Sequence, residues 1–180
     1  IEASKGLVVI DEAYIAFTEA DMLDLAVRYD NVLIMRTLSK VGLAGLRLGM
    51  LIGKPAWINQ FNKIRLPYNI NVLTQMTALF ALQHYSILLQ QAECIKQQRT
   101  VLAQQLSALD GVEVFPSQAN FLLVRTKKDA RQIFESLKNS GVLIKCLAGG
   151  HPLLSQCLRI TVSTEEENAV FLKAFKEALT

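Results

Sequence analysis

Two residues stand where a sheet would present them to a ligand. Asp11 ends the apolar run Leu7-Val8-Val9-Ile10, and Lys40 follows a second such run, Asn31 to Met35, through Arg36-Thr37-Leu38-Ser39. A carboxylate at the C-terminal end of a buried strand lies at the edge where open α/β sheets bind small molecules. One chemistry for that acid is the metal-holding role in a phosphate-loop nucleotidase, which requires a G-x-x-x-x-G-K-[ST] loop. This chain holds no such loop. The lysine offers another chemistry. It is flanked by the hydroxyls of Thr37 and Ser39 and followed by Val41-Gly42-Leu43-Ala44-Gly45-Leu46-Arg47. An aldehyde cofactor with a phosphate tail needs such a set: an amine to form the Schiff base, then a hydroxyl and a bidentate guanidinium for the phosphate. Asp11 would then sit against a pyridine nitrogen and keep it protonated, making the ring an electron sink.

The elements that must position these residues follow from periodicity. Leu7 to Ile10 and Asn31 to Met35 read as strands, with the helix-like stretch Met22 to Tyr29 between them, as in the β-α-β units of a parallel sheet. Leu46 to Ile52 reads as a third strand. From Pro55 the spacing of Trp57, Ile58, Phe61 and Ile64 is helical, until Pro67. Leu73 to Leu82 is apolar on nearly every face and predicts a buried helix, with Met50 and Met76 as core filler. Ser86 to Leu109 is a long Gln-rich amphipathic stretch and holds the domain junction. Beyond it, Val112 to Phe115, Phe121 to Val124, Val142 to Lys145 and Leu158 to Val162 predict strands, with a helix over Asp129 to Asn139 closed by Gly141. Thr164-Glu165-Glu166-Glu167 predicts a capping box at the start of the last helix. The expected organisation is a partial cofactor-binding large domain over 1–85, a connecting helix over 86–110 and a small α+β domain over 111–180.

Composition excludes several classes of function. The hydrophobic share of 51% and charged share of 19% are those of a globular chain, and no apolar run reaches the roughly 20 residues of a membrane span. The net charge of +3 is spread without a basic block, which argues against nucleic acid as a partner. Cys94, Cys146 and Cys157 form no CxxC pair and suit reduced thiols, not a disulfide framework or a metal site, so a cytoplasmic location is expected. His84, in the helical region, and His151, before proline in a loop, have no partner acid at a suggestive spacing and are not assigned as general bases.

The order Asp-Glu-Ala-Tyr, Thr-Leu-Ser-Lys, Gly-Leu-Ala-Gly-Leu-Arg-Leu-Gly resembles the fold-type I aminotransferases that use pyridoxal 5'-phosphate (PLP), and among them the histidinol-phosphate aminotransferases. The likeness continues through Arg65-Leu66-Pro67-Tyr68-Asn69, Ser117-Gln118-Ala119-Asn120-Phe121, Gly149-Gly150-His151-Pro152 and Cys157-Leu158-Arg159-Ile160-Thr161-Val162, covering essentially the whole chain. The resemblance implies Lys40 as Schiff-base lysine and proton shuttle, Asp11 as partner of the pyridine nitrogen, and Tyr14 as donor to the ring's phenolic oxygen. It implies Ser39 and Arg47 on the phosphate, with Thr37 in the same cofactor-binding set, and Arg159 on the substrate α-carboxyl group. It also implies a homodimer acting on histidinol phosphate and on glutamate or 2-oxoglutarate.

Two departures accompany the likeness. Lys145 stands where the family often has an arginine that helps grip the substrate phosphate, and Ser163 where it usually has glycine. The family's first half, with its ring-stacking aromatic, its asparagine and part of its phosphate loop, has no counterpart here, and Ile1 leads directly into a strand. A fragment carrying the C-terminal half is therefore expected. Two other functions stay open: a PLP decarboxylase of phosphorylated amino acids on the same fold, and an inactive half that acts only by association.

Overall fold

The first three apolar runs pair as one sheet in the computed structural model, which describes residues 1–180. Strands β1 (Val8–Asp11) and β2 (Val32–Thr37) are parallel and are linked through the short helix α1 (Leu23–Arg28). The third strand, β3 (Gly49–Gly53), runs antiparallel to β2, with Thr37 opposite Gly49 and Leu33 opposite Gly53. A parallel return requires a crossover of roughly a dozen residues or more, usually helical. Residues 38–48 hold only irregular turns, so the chain doubles back, and the parallel arrangement is confined to β1 and β2.

Alternation along these strands divides the sheet's two faces. Val8, Ile10, Val32, Ile34 and Ile52 pack with Ala26 of α1, while Val9, Asp11, Met35 and Leu51 are exposed on the other face. Helices α2 (Pro55–Ile64), α3 (Val72–Gln83) and α4 (Tyr85–Ser107) follow. Proline opens α2, where its missing N–H goes unused, and the Asn71 side chain caps α3 by accepting from Thr74 N–H at 2.9 Å. The expected helix α3 forms, but it is not buried: Leu73 is 77% exposed, Phe80 62% and Met76 66%, and only Ala78 is enclosed. Met50, also expected in the core, is exposed too. An all-apolar helix needs packing surface on every side, and the small core of Ala26, Val32 and Ile34 does not extend to α3.

The chain divides into two compact units, Ile1–Ala92 and Glu93–Thr180, with the change falling inside α4. In the second unit β4 (Val112–Val114), β5 (Phe121–Thr126), β7 (Cys157–Thr161) and β6 (Lys145–Cys146) form an antiparallel sheet in the order β4-β5-β7-β6. Its core face sets Leu122, Val124, Leu158 and Ile160 against Ile133 and Leu137 of α5 (Ala130–Asn139), Phe171 and Phe175 of α6 (Glu165–Leu179), and Leu102 and Leu106 of α4. Each such side chain contributes about 1.5–3 kcal/mol when fully buried. The strand expected over 142–145 pairs only from Lys145.

Helix caps in this unit follow their residue types. The Asp129 carboxylate accepts from Arg131 and Gln132 N–H, and the Thr164 hydroxyl accepts from Glu167 N–H. The reciprocal half of the expected capping box is replaced: the Glu167 carboxylate accepts from the Ser163 hydroxyl instead. Buried Asn168 accepts from Ser163 N–H and donates to Ser163 C=O, both at 3.0 Å. Ser163 thus belongs to the cap of α6. A backbone hydrogen bond and then the Thr164 side chain hold the Glu166 carboxyl below the usual carboxylate range. No single helix is long and apolar enough to cross a membrane.

Candidate active site

Because β1 and β2 are parallel, their C-terminal ends meet at one edge. Asp11 is paired with Met35, and Glu12 N–H donates to Met35 C=O at 2.8 Å, carrying the ladder one residue further. Asp11 Oδ1 accepts from Ala13 N–H at 2.9 Å, a turn typical of aspartate that fixes the carboxylate and leaves its second oxygen for a ligand. The chain then brings the Tyr14 ring to 5.2 Å from Lys40 Nζ, so the loops after the two strands converge.

At the end of β2, Thr37 Oγ1 lies 2.9 Å from Ser39 Oγ and 3.2 Å from Leu48 C=O, and it accepts from Ser39 N–H at 3.0 Å. Thr37 therefore orients Ser39 and ties the loop to the start of the return strand. The turn over Ser39–Leu43 needs a left-handed residue, which Gly42 supplies at φ 94°, and Leu43 N–H closes it onto Leu38 C=O at 3.2 Å. Arg47 also has positive φ, 51°, a conformation that costs about 1–2 kcal/mol for a residue with a Cβ. Its guanidinium is exposed and engaged by no carboxylate of the chain.

The second unit gathers two more of the expected residues. Lys145 on β6 is directly opposite Arg159 on β7, and Leu123 on β5 is opposite Arg159 on its other side. All three share the face away from the core, since Leu158 and Ile160 point inward. The Arg159 guanidinium lies 5.3 Å from the centre of the Phe121 ring, a cation–π contact. On the same face Arg125 is matched by Glu113 at 2.9 Å, whereas Lys145 and Arg159 have no carboxylate partner. His84 packs on Phe80 with ring centres 4.6 Å apart, and His151 Nδ1 accepts from Leu153 N–H, so both histidines have structural contacts.

One pair was not singled out from the sequence. Arg36 Nε donates to Glu12 Oε2 at 2.8 Å, and Glu12 is only 7% exposed. The available signal was a permanently charged arginine inside an apolar strand.

The groups around Lys40 suit PLP by their chemistry: an amine beside a phenol ring, a strand-end carboxylate with one oxygen uncommitted, a hydroxyl pair, and an unpaired guanidinium. Comparison with known proteins agrees. The family model described as aminotransferase class I and II matches residues 1–175. The chain belongs to this family. The family is PLP-dependent.

This aminotransferase chain is 54% identical, over 98% of its length, to histidinol-phosphate aminotransferase 2 of Nitrosococcus oceani, of which it covers 49%. The chain thus spans about half the length of the curated relatives it matches. Among solved structures it resembles the histidinol-phosphate aminotransferase of Sinorhizobium meliloti in complex with pyridoxal-5'-phosphate, at TM-score 0.84 and 28% identity, covering 96% of this chain and 48% of that one. It also resembles the L-threonine-O-3-phosphate decarboxylase of Porphyromonas gingivalis, at TM-score 0.84 and 27% identity, covering 95% and 54%.

Proposed function

We propose that this chain is the C-terminal half of a PLP-dependent histidinol-phosphate aminotransferase, moving an amino group from glutamate to imidazole-acetol phosphate, with 2-oxoglutarate and histidinol phosphate as products, in histidine biosynthesis. The single observation that carries the substrate class is the directly opposed pair Lys145 and Arg159, two cations on one sheet face with no acid between them. Such a pair suits small molecules that bear a phosphate or a carboxylate.

When bound, the cofactor supplies an aldehyde that takes up the amino group and a ring that accepts electron density from the substrate α-carbon. Lys40 Nζ would hold the cofactor through its aldehyde and would move the proton at the substrate α-carbon. Asp11 would keep the ring nitrogen protonated with its uncommitted oxygen. The Tyr14 hydroxyl would donate to the phenolic oxygen. Ser39, held by Thr37, and Arg47 would bind the phosphate, a group that a guanidinium suits. Arg159 takes the α-carboxylate of the amino-acid donor, and Lys145 the phosphate of histidinol phosphate with a point charge in place of a planar fork. The proposed organisation is a cofactor-binding part over 1–85, a connecting helix over 86–110 and a small domain over 111–180, in a homodimer of the cytoplasm.

The resemblance to the P. gingivalis decarboxylase supports a second reading, decarboxylation of a phosphorylated amino acid on the same fold. Incubating the full-length protein with histidinol phosphate and 2-oxoglutarate, and separately with O-phosphothreonine, distinguishes the two. Glutamate formation in the first mixture is the expected result; carbon dioxide release in the second without amino transfer in the first would overturn it.

A further inference from the structure

We propose that the ion pair of buried Glu12 with half-buried Arg36 is a positioning pair that holds Asp11 and Lys40 in register for the cofactor. The inference rests on the functional reading above, because the groups it positions are the ones assigned there to PLP. Glu12 directly follows Asp11, and Arg36 directly precedes the Thr37-Leu38-Ser39-Lys40 segment. Arg36 Nε bonds Glu12 Oε2 at 2.8 Å, while Glu12 Oε1 accepts from Met22 N–H at 2.6 Å, at the start of α1. One carboxylate thereby ties together the end of β1, the end of β2 and the helix that crosses between them.

Alternation puts this tie on the α1 side of the sheet and Asp11 on the open side, so neither charge of the pair is placed to touch a ligand beside Asp11. The charged groups about the pair are few. Asp21 Oδ2 lies 3.6 Å from Arg36 Nη2, and that buried nitrogen has no hydrogen-bond partner. Asp11 is the other, on the opposite face. A buried ion pair is a weak contributor to stability but strongly specifies geometry when its hydrogen bonds converge from several elements. Here the convergence fixes where two parallel strands end: Asp11 stands one residue before Glu12 at the end of β1, and Lys40 four residues after Arg36, just beyond β2.

If the pair positions, loosening it from either side lets Asp11 draw away from the ring nitrogen. A ring without that carboxylate beside it would carry less positive charge, which would move the bound cofactor's pH-dependent absorption change to higher pH. Both single changes must therefore move that titration the same way. A pure field effect would move them oppositely, since Glu12→Gln removes a negative charge and Arg36→Gln a positive one.

The test uses the full-length protein, and measures cofactor affinity by titrating the apoprotein, the pH midpoint of the bound cofactor's absorption change, and the melting temperature of the apoprotein. Glu12→Gln and Arg36→Gln should each weaken cofactor binding on the order of tenfold and raise the midpoint by about half a unit or more. The double variant should be no worse than the poorer single one. Arg36→Lys, which keeps the charge and stem, should lie between wild type and Arg36→Gln, and it carries the test if the glutamine variants fail to fold. Midpoints displaced in opposite directions, losses that add, or a lowered melting temperature with wild-type affinity and midpoint would each overturn the proposal. Borohydride reduction of the wild type keeps the two readings apart: no pyridoxyl adduct on Lys40 would refute the functional reading itself.

Discussion

Lys40 is half-buried at an irregular turn, and its amine lies against the Tyr14 ring without a carboxylate partner. Its side chain fills no core, so Lys40→Ala in the full-length protein should abolish covalent cofactor attachment and leave the fold intact. Borohydride trapping with peptide mapping reads this directly, and a pyridoxyl adduct on another lysine would reassign the residue. Arg159 makes a different demand. Histidinol phosphate has no α-carboxyl group, so Arg159→Lys should weaken the glutamate half-reaction, by about 1.5–3 kcal/mol for a charge-assisted bond, and affect the phosphate-amine half less. Single-turnover kinetics of each half would show it. Equal losses in both halves would make Arg159 a support of the sheet face. Of the proposed site residues, those with a local signature, Asp11, Ser39, Lys40 and Arg47, can be picked out in one sequence because each ends or follows a strand or a glycine turn. Glu12 and Arg36 are not, because their partnership exists only once β1 and β2 are paired.

At the scale of the element, α6 begins with a cap that the sequence nearly specifies. The Thr164 hydroxyl holds Glu167 N–H, so Thr164→Ala should destabilise the chain by about 1 kcal/mol, seen as a lower denaturant midpoint with unchanged slope. Ser163 takes the Glu167 carboxylate that a capping box would have sent to a backbone N–H, which the pattern Thr-x-x-Glu could not disclose. In β7, Ile160 is fully buried in the core of this unit, and Ile160→Ala should cost about 2–5 kcal/mol, several times the cap's effect. Comparing the two variants under one denaturant protocol checks the ordering; a cap variant as damaging as the core variant would contradict it.

Over the whole molecule the two units differ in how much apolar surface they enclose. The core of Glu93–Thr180 includes three helices and four strands, while Ile1–Ala92 buries little beyond α1 and two strands, and α3 presents Leu73, Met76 and Phe80 to solvent. Amide exchange should therefore be slow in β5, β7 and α6 and fast through α2 and α3. The chain in isolation should associate and bind apolar dye through the exposed α3 surface, and show little or no aminotransferase turnover. Sedimentation and dye binding test the first expectation. A dye-silent monomer with full turnover would refute both.

Local order was settled by the sequence itself. Strand and helix positions follow from apolar runs and a period of 3.6, caps from Asp129 and Thr164, and the proposed chemistry from an amine, an acid and a guanidinium near successive strand ends. Tertiary structure alone decided the rest. The return of β3 as an antiparallel strand, the exposure of α3, the opposition of Lys145 to Arg159 and the Glu12–Arg36 tie all depend on which segments meet. Periodicity reports the face a residue turns toward a neighbour, and is the same whether or not that neighbour is there; burial and pairing are properties of both partners, and one stretch of sequence contains only one of them.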